Sequence, residues 1–360
     1  MLLARSALLA GANVRTIRFC FAMRGTVDVT PWDDLLHEFR ALGGTADNIR
    51  LGEGEYGRGL FPVIPSLPVA LHIPENLLIP VEDMVFIDGK LRVGPKSGAS
   101  ARERAWLDRY QELLGWSGGG ADSIRQMYDQ AAALPSELRS RLATEPFCAP
   151  LLAEPTDRLI LTRYMTARSL TYEDKSVVIP LVELANHRDG VRYLCKDGVG
   201  LHGQFPGEIL VQYSDHDSLD YFLTWGFASP RPVAFSVMMS GQIDTTPMQI
   251  QSGFAGRPAS PRDWIPQMEK SAAGGSLSFV MLGNEKFPRL AKGIFYKLMR
   301  DAGYSGYEEC FDLIQHHNRL HALALIKVLD GVDLPLARTL RAVAQHRLHA
   351  MSFCFGVREI

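Results

Sequence analysis

The stretch Ile179-Pro180-Leu181-Val182-Glu183-Leu184-Ala185-Asn186-His187-Arg188-Asp189-Gly190 runs from apolar to polar text without a spacer. Ile179 to Val182 has the composition of a segment entering a core, and Arg188-Asp189-Gly190 is turn chemistry. Asn186 and His187 stand between them. Two readings fit the pair. It caps the end of a helix or strand, or the apolar segment delivers an amide and an imidazole to a polar ligand. In isolation a cap or turn is the ordinary reading, so the choice depends on what lies upstream and downstream.

Upstream, Thr30-Pro31-Trp32-Asp33-Asp34 has the form of a helix start, with Thr as N-cap, Pro at the first position and acids in the first turn. Leu35, Leu36, Phe39 and Leu42 give that helix an apolar face, and Gly43-Gly44 ends it. Strand-like runs follow at 49–51, 59–63 and 69–73. From about 101 to 170 the spacing is helical, over 102–114, 123–133, 135–143 and 156–170. Downstream of that block, strand text returns at 176–180, 191–195, 200–204 and 208–213, with a short helix predicted over Ser218–Trp225. Residues 240–275 are polar and rich in Gly, Pro and Ser, as in a linker. Helical patterns then cover 288–302, 307–329 and 335–351, with Gly303 and Gly331 as C-caps. No internal repeat is visible. The fold class is α+β: a β-rich unit split by a helical insertion, followed by an all-helical unit.

Composition narrows the function classes. The chain has 360 residues, 46% hydrophobic and 22% charged, with a formal net charge of −2. Such a balance argues against binding nucleic acid by bulk electrostatics. The five cysteines are scattered and no two form C-x-x-C, which disfavours a zinc cluster or disulfide framework and suits a reducing compartment. His316, His317 and His321 are close in sequence but lack an obvious further ligand, so they read as a polar helix face rather than a metal site. The first residues carry Arg but no acid until Asp28, and their apolar stretches are too short to span a membrane. We read residues 1–24 as a flexible start and the setting as cytoplasmic, with organellar targeting as the other reading of that acid-poor segment.

Three separated segments, in order, resemble the SET-domain methyltransferases of the Rubisco large-subunit lysine methyltransferase type, a group that includes the actin-histidine methyltransferases. Glu55-Tyr56-Gly57-Arg58-Gly59-Leu60-Phe61 is similar to the family's G-x-G opening. Pro180 to His187 is similar to its P-x-x-D-x-x-N-H. Gly207-Glu208-Ile209-Leu210-Val211-Gln212-Tyr213, with Asp217-Ser218 and Trp225-Gly226-Phe227 after it, is similar to its G-E…Y, S-N and Y-G-F run. The resemblance covers roughly Trp32 to the C-terminus. It implies a SET domain over about 25–235 with a helical insertion at about 81–175, a linker or long loop over 236–275, and a helical substrate-binding-like domain over 276–360.

The resemblance also implies the cofactor S-adenosyl-L-methionine and a protein substrate. Its cofactor site would take Tyr56, Gly57, Arg58 and Gly59, with Gly57 and Gly59 allowing close backbone approach. Arg168 would face the amino-acid end. Glu183 would belong to the same cofactor site, Asn186 would accept from the ammonium, the His187 backbone would read the adenine edge, and Tyr213 and Trp225 would line the target channel. The sequence departs from the family pattern at three points: Glu183 replaces Asp, Leu219 replaces Asn, and Trp225 replaces Tyr. Indole has an N–H donor and no acceptor oxygen, so the tyrosine role does not transfer to Trp225. A lysine target, with a pKa of about 10.4, must first lose a proton, whereas imidazole at about 6.5 already carries a neutral nitrogen at pH 7. Protein-lysine methylation ranks first and protein-histidine methylation second. An inactive SET scaffold that binds cofactor or peptide is a third reading, and an enzyme methylating a small molecule a fourth.

Overall fold

The computed structural model describes residues 29–143, 148–243, 246–251, 266–271 and 274–354. The expectation for residues 1–24 lies outside them. Helix α1 (Val29–Ala41) begins one residue before the expected Thr30 cap, and Gly43, at φ +94°, ends it as expected. Its apolar stripe, Leu35, Leu36 and Phe39, is buried. Phe39 stacks on Trp106 at 5.2 Å, and the Trp106 indole N–H donates to the Leu35 carbonyl at 3.0 Å.

Strands β1 (Thr45–Asp47), β2 (Ile49–Gly54), β3 (Gly57–Pro62) and β4 (Val69–Pro74) follow. Val69, Leu71 and Ile73 of β4 are buried in strict alternation, the period that places one strand face on a core. Next come β5 (Met84–Ile87) and β6 (Lys90–Val93), paired through an Asp88-Gly89 turn with both φ positive. The insertion expected to be helical therefore opens with a hairpin. Its helices are α2 (Ala101–Leu113), α3 (Asp122–Ala132), α4 (Ser136–Leu142), α5 (Ala149–Leu152) and α6 (Asp157–Arg168). All but the short α5 lie within two residues of the patterns read from sequence. A Ser100–Glu103 capping box starts α2, and Thr156 caps α6.

The chain then forms β7 (Ser169–Tyr172), β8 (Lys175–Val178), β9 (Asn186–His187), β10 (Leu194–Cys195), β11 (Gly198–Gly203) and β12 (Leu210–Val211). Strands β1, β4, β11 and β10 make one sheet in that order, and β9 pairs parallel with β12. Helix α7 (Ser218–Trp225) has the bounds expected, with Asp217 as its N-cap.

The stretch expected to be a linker, 236–275, is corrected. After β13 (Val233–Phe235), the strands β14 (Met239–Ile243), β15 (Thr246–Ile250), β16 (Gln267–Ser271) and β17 (Gly274–Ser278) form a four-stranded sheet in the order 14-15-17-16. Its inward positions, Ile243, Met248, Ile250 and Leu277, are few and separated by Gly, Ser, Gln and Thr. A sheet covered on one face needs only every second residue apolar, so the average composition looked like loop. Strand β18 (Met281–Asn284) pairs with β13.

Helices α8 (Leu290–Asp301), α9 (Tyr307–Val328) and α10 (Pro335–Ser352) complete the described fold, and α10 packs on β13, β18 and α7. A buried polar network ties them together. Arg347 of α10 donates to the Phe235 carbonyl at 2.6 Å and to Asn318 Oδ1 at 3.3 Å, and its Nε lies 3.4 Å from Asp217 Oδ2. Asn318 of α9 in turn accepts from Val237 N and donates to Ser236 Oγ, both at 2.9 Å. No helix among the described residues is long and apolar enough to cross a membrane.

His346, beside Ser218 Oγ at 3.3 Å, has its pKa lowered below the ordinary 6.5, first by burial. A depressed histidine means that the unfolded chain binds a proton the folded chain resists. Its contribution is therefore present at neutral pH and is lost as pH falls below about 6.5. Thermal melts from pH 7.5 to 5.5 should show His346→Gln losing less stability than the wild type, by up to about 1.4 kcal/mol per pH unit. Parallel curves for the two proteins would contradict this assignment.

Candidate functional site

The segment that opened the reading is held by backbone geometry before any side chain acts. Leu181 is fully buried at φ +66° and ψ −51°, the centre of a γ-turn closed by the Val182 amide donating to the Pro180 carbonyl at 2.8 Å, a backbone conformation rare for a bulky side chain. It turns the chain so that the 182–184 turn feeds β9, where Asn186 and His187 align with Leu210 and Val211 of β12. The Asn186 amide nitrogen donates to the Arg58 carbonyl at 3.1 Å and to Glu208 Oε1 at 2.6 Å. Three stretches far apart in sequence, the β2–β3 hairpin, β9 and the Gly207–Tyr213 run, thus meet at one amide.

Gly57 stands at φ +81°, where the β2–β3 hairpin closes around Glu55-Tyr56. Tyr56 is half-buried on that turn. At Gly59 a Cβ would come within 2.4 Å of Glu208 Oε1 and 2.7 Å of Asn186 Nδ2. The missing side chain at Gly59 leaves room for the protein's own carboxylate and amide. The Arg58 side chain is engaged within the protein. Its guanidinium donates to the Leu114 carbonyl at 2.7 Å and the Gly118 carbonyl at 3.0 Å, tying the hairpin to the C-terminal end of α2. Burial, then the neighbouring Arg168, lower its pKa.

Arg168 and Glu183 form the charged wall. The Arg168 guanidinium lies 3.8 Å from Glu183 Oε2 and 5.0 Å from the centre of the Tyr164 ring. The Tyr110 hydroxyl donates to Glu183 Oε1 at 2.5 Å. Burial pushes the Glu183 carboxyl up, opposed chiefly by the Arg168 charge. Burial works against the Arg168 cation, and Glu183 with the surrounding phenols outweighs it, so the guanidinium is held more firmly charged than usual.

His187, Tyr213, Tyr221, Trp225 and Phe227 form an aromatic cluster. The His187 ring centre is 5.1 Å from Tyr213, 4.7 Å from Tyr221 and 5.7 Å from Phe227. Its Nδ1 lies 3.1 Å from the Val211 carbonyl and 3.3 Å from the Tyr213 amide nitrogen, so the tautomer decides which contact is a hydrogen bond. The Tyr213 hydroxyl donates to the Ala185 carbonyl at 2.9 Å. Trp225, half-buried, sits 5.2 Å from Tyr213 and 4.8 Å from Tyr221, and its indole N–H donates to the Ala167 carbonyl at 3.0 Å. Gly226 ends α7 at φ +81°, and Phe227 after it packs 5.7 Å from Tyr221 within the cluster. Arg231 lies over Tyr221 at 4.7 Å and pairs with Asp189.

No protein-family profile matches the chain. No curated protein sequence matches it. Among solved structures, one of Rubisco LSMT bound to AdoMet matches with a TM-score of 0.40 at 12% identity, over 89% of this chain and 90% of that one. The SET domain of LSMT bound to lysine and AdoHcy matches with a TM-score of 0.39 at 12% identity, over 90% of each chain. Rubisco LSMT bound to sinefungin and monomethyllysine matches with a TM-score of 0.39 at 11% identity, over 89% of this chain and 90% of that one.

The structure brings Arg168, Glu183, Asn186, His187, Tyr213, Trp225 and the 56–59 hairpin into one region, and it adds residues not singled out from sequence. Glu208 was visible only as part of a Gly-Glu motif, with no cue that its carboxylate reaches the hairpin glycines. Tyr221 lies four residues before Trp225, one helical turn away, a spacing that puts both rings on one face of α7. Tyr110 and Tyr164 sit on the insertion helices, where a buried tyrosine looks like any core aromatic. Among the described residues no group of three or more His, Cys, Asp or Glu side chains is arranged to hold a metal ion.

Proposed function

We propose that this chain is an S-adenosyl-L-methionine-dependent protein methyltransferase of SET type, acting on lysine. One observation carries the reading: the separated motifs are joined at Asn186 and at the aromatic cluster beside it. The donor set suits the cofactor's charges. Arg168 offers a cation for the amino-acid carboxylate. Glu208 and Glu183 offer carboxylates, and Tyr213, Tyr221 and Trp225 offer aromatic faces, for the ammonium and sulfonium. The bound cofactor would supply a methyl group on a sulfonium, open to in-line attack.

The chain's own work is to position and to keep out water. Glu208 and the Arg58 carbonyl fix the Asn186 amide through its nitrogen, and the amide so held would stand beside the ligand's ammonium. Tyr213, anchored by its hydroxyl to Ala185, and Trp225, anchored to Ala167, would form the walls through which the target side chain enters. Trp225 gives no acceptor for a target ammonium, which is the observation favouring histidine as a second reading. The scattered cysteines are the ground for placing the protein in the reducing cytoplasm.

Calorimetric titration with S-adenosylhomocysteine tests the site. Asn186→Ala should weaken binding by about 1–3 kcal/mol, the cost of leaving a buried polar partner unmatched. An unchanged affinity would remove Asn186 from the site.

A further inference from the structure

The outer face of α9 carries a stripe that the site does not use. Leu313, Leu320 and Leu323 are 65%, 53% and 51% exposed. At about 100° per residue, these leucines share one side of the helix with His316, His317 and Ala324, all exposed, while Phe311, Ile314, Asn318 and Leu325 face inward. Single exposed leucines are ordinary, but three along one stripe of one helix mark a contact surface.

The charges along the stripe say what covers it. Exposed Glu309 lies on it near the N-terminal end and exposed Lys327 near the C-terminal end. These two are each nine residues from Asn318, on opposite sides; Leu313 and Leu323 are each five away, and His316 and Leu320 each two away. These six positions are symmetric about their midpoint with opposite charges at the ends, so they complement themselves when a second helix runs antiparallel, with His317 and Ala324 of the same face meeting Arg319 and Asp312 at its margin. We infer that this face docks a second copy of the chain, α9 against α9 about a twofold axis crossing near position 318. In that arrangement Leu313 meets the Leu323 of the other copy and His316 meets its Leu320. Glu309 meets its Lys327, twice over by symmetry, as an isologous interface requires. The small net charge of −2 puts little long-range repulsion between copies. This dimer stands or falls independently of the methyltransferase reading.

Sedimentation velocity of the full chain, from about 1 to about 200 µM, tests it over the range where small interfaces associate. The wild type should move from monomer toward dimer mass as concentration rises. Leu320→Glu, at an exposed position that leaves the core untouched, should weaken association at least about tenfold. Glu309→Lys and Lys327→Glu should each weaken it as well, and the two combined should restore association to near the wild-type level. Three results would each overturn the inference: a wild type monomeric throughout, a dimer indifferent to Leu320→Glu, or a double charge swap no better than the single ones. Circular dichroism on every variant separates lost association from lost folding.

Discussion

Arg347→Ala is expected to cost about 3–5 kcal/mol of unfolding free energy, because it leaves the Asp217 carboxylate buried without its cation. Both side chains are about 3% exposed, and they join α10 to the cap of α7. Asp217 also accepts from the Asp220 amide at 3.0 Å and the Phe235 amide at 3.1 Å, so it cannot turn outward to water without releasing β13. Loss of Arg347 further strips the Phe235 carbonyl and Asn318 of a donor. In urea denaturation the midpoint should fall with the slope unchanged, as for a loss of stability without a change in the surface exposed. A loss below about 1 kcal/mol would mean that water reaches Asp217 and that the network is not dry.

Trp225→Tyr should raise methyl transfer to lysine by about 10²–10⁴-fold, the size of a well-placed acid–base or orienting contribution. Trp225 already borders Tyr213 and Tyr221, and a phenol there would bring an acceptor lone pair that indole lacks. Its hydroxyl would also replace the N–H that now donates to Ala167. A gain on histidine peptides instead of lysine peptides would move the substrate assignment to the histidine reading. A stable variant that binds S-adenosylhomocysteine and gains nothing would make Trp225 a space-filling core residue. If tyrosine leaves a void, stability should fall without any change in activity.

The helices were legible in the sequence because a 3.6-residue period with caps is a local signal. Ser218–Trp225 and the 307–329 and 335–351 patterns needed nothing but their own residues. The sheet over Met239–Ser278 was not legible, since its strands bury only one face and its parallel β15–β17 pairing joins segments that no local pattern connects. The hairpin at Asp88-Gly89 did carry a local signal, a D-G pair between the apolar run Met84–Ile87 and the alternating Lys90–Val93, although it fell inside the stretch assigned to the helical insertion. At the site, order in sequence picked out segments that the fold brings together, but not the partners of their side chains. Gly59 makes room for Glu208, and Arg58 reaches 56 residues away to the Leu114 carbonyl. Those contacts depend on how the insertion folds back, which residue type and spacing do not encode.

The central claim is most directly tested by incubating the purified chain with methyl-labelled S-adenosylmethionine and a cell lysate, then separating protein from small metabolites. Label is expected in protein, on lysine after hydrolysis, with incorporation reduced by Asn186→Ala. Label confined to small metabolites, or no transfer from a protein that shows no calorimetric binding of the cofactor, would contradict it.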